Sequence, residues 1–92
     1  MDNMTNPRPL VSVIIPLYNG ARSIGPVLEA VHRSTYEHLE VIVIDDGSTD
    51  SGVEIIKELS SRCPYRLISF KENRGVSKAR NAGAGGAKGD VL

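Results

Sequence analysis

The chain has 92 residues, 40% of them hydrophobic and 24% charged, which suits one small globular domain and excludes both a disordered tract and a two-domain protein. Its 11 Lys and Arg balance 11 Asp and Glu, so no net field favours nucleic acid or an acidic membrane surface. No apolar run approaches the ~20 residues that cross a bilayer, the polar opening MDNMTNPRP lacks a signal-peptide core, and the single cysteine, Cys63, excludes an internal disulfide; together these predict a cytoplasmic setting.

Residues 1–9 read as a disordered tail and 10–92 as one domain. Val11–Ile15 is a β-branched run bounded by Pro9 and Pro16, the pattern of a buried strand. Ile24, Val27, Leu28 and Val31 then recur at helical spacing, with Ser23 as the expected cap and Pro26 inside the first turn. Val41–Ile44 is apolar at every position, which predicts a second strand covered on both faces, as in parallel sheets. Asp50 or Ser51 opens a second helix: Ser51 and Glu54 have capping-box spacing, and Ile55, Ile56, Leu59 and Cys63 form its apolar stripe up to Pro64. In this reading Cys63 is a small apolar filler. His32 and His38 have no partner at metal-ligand spacing and are assigned to the surface.

Arg66–Phe70 predicts a third strand and Gly75 to about Gly86 a third helix of poor propensity. The small face of that helix, Val76, Ala79, Ala82 and Gly83, suits close approach to a sheet. Gly89-Asp90-Val91-Leu92 begins a fourth strand. The alternation predicts a three-layer α/β/α, Rossmann-like parallel sheet with right-handed crossovers.

In such sheets ligands bind beyond the carboxyl ends of the strands. Three segments fall there: Pro16-Leu17-Tyr18-Asn19, Asp45-Asp46-Gly47-Ser48 and Lys71-Glu72-Asn73-Arg74-Gly75. Asp-Gly and Ser-Thr-Asp are good turn and cap sequences, and that reading suits Asp50 and Ser51. It explains the adjacent Asp45 and Asp46 less well. Successive strand residues point opposite ways, so one acid is expected to face the crevice and the other to bond nearby backbone. An ionised carboxylate accepts hydrogen bonds and would favour uracil, whose imide N–H cytosine lacks. Tyr18 is equally a stacking surface for a base and a half-buried loop aromatic. Lys71, Arg74, Lys78, Arg80 and Lys88 gather near the start of the third helix, whose N-terminus attracts anions. NAGAGGAKGD lacks P-loop spacing, and Pro-Leu-Tyr-Asn after the first strand is no dinucleotide fingerprint.

VSVIIPLYN, EVIVIDDGSTD and NRGVSKARNAG followed by GD, in this order over residues 10–92, resemble the start of a family-2 glycosyltransferase of the GT-A fold. The resemblance implies transfer of a sugar from a nucleotide-diphosphate donor, with a UDP-sugar expected, to an acceptor hydroxyl with inversion. It further implies Pro16 and Tyr18 as nucleoside contacts, Asp46 as acceptor of the imide hydrogen bond, and Asn73 and Arg80 at the base edge or diphosphate, with Asp45 structural. The Mg2+ or Mn2+ expected in the parent would be held by a later D-x-D-like motif. Neither its ligands nor a catalytic base is expected within this piece, which stops at Leu92 and is therefore expected to be inactive alone. The acceptor is open, and no nucleic-acid partner or membrane segment is expected. Two rivals are a phosphoreceiver domain, disfavoured because its acidic residues would lie on other strands, and a non-catalytic nucleotide-binding or structural α/β module.

Overall fold

The computed structural model describes residues 9–92, so the tail expected over 1–9 lies, apart from Pro9, outside the described residues. In chain order the elements are β1 (Val11–Leu17), α1 (Ala21–His32), β2 (Leu39–Asp46), α2 (Gly52–Leu59), β3 (Arg66–Phe70), α3 (Val76–Gly86) and β4 (Asp90–Val91). The strands form one parallel sheet in the order β3-β2-β1-β4. The expected α/β/α layering is present.

Side-chain alternation divides the core between the two faces. Val41 and Val43 of β2 pack with Leu17, Ile24, Leu28, Ile56 and Cys63 beneath α1 and α2. Ile42 and Ile44 pack with Ala79, Ile14 and Ile68 beneath α3. All four residues are buried, which is why the run has no polar alternate. Cys63 is the buried filler expected of it, although α2 ends at Leu59 and Cys63 lies in the turn beyond.

β1 and β2 are longer than their apolar runs. β1 continues through Pro16 to Leu17, and hydrogen bonding explains why proline does not end it. In β1 the backbone of Val11 faces β2, where its N–H donates to the His38 carbonyl. Ser12 and Ile14 face β4: Leu92 N–H donates to Ser12 O and Ile14 N–H to Leu92 O. Position 16 shares the parity of 12 and 14, so its missing N–H would have pointed to the β4 side, beyond the short ladder. β2 likewise runs to Asp46, so the two acids lie within the strand, not after it.

α1 starts earlier than expected. Gly20 is its N-cap, without a side-chain cap, which leaves Ser23 inside the helix and Pro26 beyond the first turn. Ser51 is the N-cap of α2, but no side-chain cap bond forms there. The Asp50 carboxylate does this work for both helices, accepting from Gly52 N–H and Ala21 N–H at 3.0 Å each. An anion between two helix N-termini also meets both positive dipole ends.

The amino end of the sheet is closed by polar contacts that hydrophobic patterning does not reveal. Glu40 accepts from Ser12 Oγ at 2.6 Å, Arg66 Nη1 at 2.7 Å and Lys88 N–H at 2.9 Å. Ser12 Oγ accepts from Gly89 N–H, and Arg66 also donates to Gly86 O. Three strands and the α3–β4 connection are thereby tied together. His32 belongs to this end as well, with Nε2 2.9 Å from the Pro64 carbonyl, and is half-buried where a free surface position was expected.

Candidate functional site

The carboxyl end of the sheet begins with Asp45 and Asp46, on opposite faces of β2. Asp45 follows the parity of Val41 and Val43 and faces α1 and α2; Asp46 follows Ile42 and Ile44 and faces α3. Both are buried, at 8% and 3% exposure. Asp45 Oδ1 accepts from Ser48 N–H at 3.0 Å, the turn-forming bond expected of the structural acid.

Asp46 reaches across to the loop after β3. Its Oδ1 accepts from Arg74 N–H at 2.7 Å, and its Oδ2 from Gly75 N–H and Asn73 Nδ2, each at 3.0 Å. Two glycines permit this approach, Gly47 by leaving room and Gly75 by its backbone conformation. Gly47 has φ +74, and a Cβ there would lie 2.5 Å from the Glu72 carbonyl carbon. Gly75, N-cap of α3, has φ +101, a region that side chains rarely tolerate. Asp46 thus faces the N-terminus of α3, where the N–H of its N-cap, Gly75, and that of Arg74 just before it already serve a carboxylate.

The β1–α1 loop is laced to the β2–α2 loop. Asn19, at φ 51, accepts through Oδ1 from Thr49 N–H at 2.7 Å and Asp50 N–H at 3.3 Å, while its own N–H donates to Ser48 Oγ at 3.1 Å. Asn19, Ser48 and Thr49 tie the two loops together, a role that spacing alone did not assign. Pro16 and Tyr18 line a cavity of about 260 Å³ between β1 and α1, with Ile15, Leu17, Ile24 and Val27. Tyr18 is 52% exposed, so about half of the residue is open to solvent. Register pairs Leu17 with Asp45, which sets Tyr18 level with Asp46 at the strand ends.

Among the cations, Arg74 lies over the Phe70 ring, 4.9 Å from its centroid. Lys78 and Arg80 are exposed on α3, and residues two apart on a helix project ~200° from one another, so they occupy opposite flanks. Lys88 departs from the expected cluster: it precedes β4 at the amino end of the sheet, beside Glu40. All five expected site residues therefore lie toward one end of the molecule. Pro16 and Tyr18 border the α1 cavity, Asp46 and Asn73 are bonded on the α3 side, and Arg80 sits in the second turn of α3.

Residues 12–92 match the family described as Glycosyl transferase family 2. The chain belongs to that family. Among its relatives this family-2 chain is 41% identical over 92 residues to the uncharacterized glycosyltransferase YibD of Escherichia coli K12, covering all of this chain and 26% of that protein. It is 40% identical over 88 residues to the hyaluronan synthase of Pasteurella multocida, covering 96% of this chain and 9% of the synthase. A mannosyltransferase from Pyrobaculum calidifontis, solved with GDP-Man and Mn2+, superposes with a TM-score of 0.85 at 32% identity, over 91% of this chain and 26% of that one. Residues 1–349 of S. aureus TarS with UDP-GlcNAc superpose with a TM-score of 0.80 at 28% identity, over 90% and 25% of the two chains. The fold is thus that of the GT-A glycosyltransferases, and the chain spans about a quarter or less of these proteins. No helix among the described residues is long and apolar enough to cross a membrane.

Proposed function

We propose that this chain forms the nucleotide-binding part of a glycosyltransferase that moves a sugar from a nucleotide-diphosphate donor to an acceptor hydroxyl with inversion, and that it reads a uridine nucleotide. The observation behind this reading is the Asp46 carboxylate, buried at the end of β2 and held by three N–H donors. A carboxylate offers about four acceptor directions, so one remains, on Oδ1, for an incoming donor. Uracil presents an imide N–H there, whereas cytosine presents a bare acceptor that the carboxylate would repel. Guanine carries a comparable N–H, which fits the nucleotides bound by the two solved relatives, one a GDP-sugar and the other a UDP-sugar.

In this reading the exposed Tyr18 ring stacks on the base and Pro16 frames the nucleoside. Asn73, bonded to Asp46, belongs to the same base-reading group. Arg80 grips the diphosphate, for which its guanidinium offers paired donors. A divalent metal on the diphosphate would neutralise the leaving group. Among the described residues no three His, Cys, Asp or Glu side chains converge as its ligands. A cytoplasmic location goes with the same reading.

The test is a titration of the chain with UDP and CDP, followed by amide chemical shifts. UDP is expected to bind about tenfold tighter, the worth of one charge-assisted hydrogen bond. Asp46→Asn should abolish or reverse the preference. The two donors on Oδ2 hold the amide oxygen there and leave the amide nitrogen at the Oδ1 position, where it donates to cytosine and not to uracil. Equal binding of the two nucleotides by the unmodified chain would overturn the reading.

A further inference from the structure

We infer that Asn73 is a positioning residue, which sets the direction of the Asp46 carboxylate and thereby the discrimination between bases, rather than a residue that grips the ligand. This rests on the nucleotide reading of Asp46. Asn73 Nδ2 donates to Asp46 Oδ2 at 3.0 Å and lies 3.4 Å from the Asp46 carbonyl, so its donor face is spent on one residue. With two oxygens opposite, the amide cannot be turned round, since its own oxygen would then face a carboxylate. The two backbone donors on Asp46 come from the next residues along, Arg74 and Gly75. The three donors therefore arrive from one short loop, and Asn73 supplies the only side chain among them.

The division of labour follows from geometry. Oδ2 takes two donors and is saturated, whereas Oδ1 takes one and keeps its remaining lone pair. Without the Asn73 amide each carboxylate oxygen keeps one backbone donor, Arg74 N–H on Oδ1 and Gly75 N–H on Oδ2, and the plane is held less tightly. The carboxylate can then tilt about its Cβ–Cγ axis, and its free lone pair has a less defined direction. Selectivity between bases depends on that direction more than overall affinity does, because a misdirected acceptor can neither complete the bond to uracil nor repel cytosine efficiently.

Amide exchange and UDP and CDP titrations of wild type and Asn73→Ala test this. The expected result is a fall of the UDP/CDP ratio by about two- to tenfold, together with faster exchange at Arg74 and Gly75 and unchanged exchange at Ile42 and Ile44. Asn73→Leu keeps about the size of the side chain and removes its donors without setting a second carboxylate against Asp46, so it should behave alike and serves if the alanine variant does not fold. A variant that keeps the wild-type ratio overturns the inference and leaves the nucleotide reading standing. Equal loss of both nucleotides also overturns it, because Asn73 would then contact something they share. A wild-type ratio of one defeats the nucleotide reading itself, and the exchange at Arg74 and Gly75 still reports whether Asn73 orients Asp46.

Discussion

Glu40 has its carboxyl pulled from an ordinary 4.5 down to about 2, first by the Ser12 hydroxyl, then by the Lys88 N–H and by Arg66. A carboxylate whose folded pKa lies below its unfolded value stabilises the fold fully above 4.5 and loses that contribution as pH falls from 4.5 through 2. Glu40→Gln should therefore be less stable than wild type at neutral pH, and the gap should narrow across that acidic window. Thermal melts of both proteins at stepped pH check this; a gap that does not change with pH would rule it out. Nothing in the apolar pattern of β2 pointed to Glu40. Its three donors come from residues 26 to 48 positions away, a distance over which single-sequence reading is blind. Asp46 was legible as an acid at the end of a strand, but its bonds to the loop after β3 were not, for the same reason.

Among the elements, α3 shows how strongly sheet contact overrides helix propensity. A Cβ at Gly83 would meet Ile14 Cγ2 at 2.5 Å and Ile44 Cδ1 at 2.7 Å, whereas at Gly85 it would meet nothing within 4 Å. Both sites gain up to about 1 kcal/mol in helix propensity from alanine, but Gly83 also incurs an overpacking cost of about 1–3 kcal/mol. Gly85→Ala should stabilise the protein and Gly83→Ala should destabilise it by about 1 kcal/mol, opposite signs that paired denaturant melts would resolve. The small-residue face was readable at Ala79 and Gly83, which are buried, but Val76 is half exposed and does not join it; Arg66–Phe70 matched β3 at both ends. α1 starts before the signal at Ser23 because its side-chain cap is Asp50, from another loop, whereas the start of α2 at Asp50 or Ser51 was legible, with Asp50 supplying the side-chain bond. Pro16 reads as a stop in the sequence because the direction its missing N–H would face depends on strand order, which its neighbours in sequence do not encode.

For the whole molecule, the order β3-β2-β1-β4 puts α1 and α2 on one face and α3 on the other, so the chain reverses its direction of winding between β1 and β4. Ligand sites in open parallel sheets lie at such reversals, beyond the strand ends. The reversal was implied by the alternation of elements, and with it the general location of the site. Which face each acid took followed only once the register of β2 against α3 was fixed.

Asp50 also bears on how the layers hold together. One carboxylate is bonded to the first turns of both α1 and α2, which share a face of the sheet. Asp50→Ala therefore releases two helix starts together and should cost about 1–2 kcal/mol in a denaturant melt. The start of α3, on the opposite face, keeps its own anchor at Asp46. Each side of the sheet is thus pinned by a separate acid.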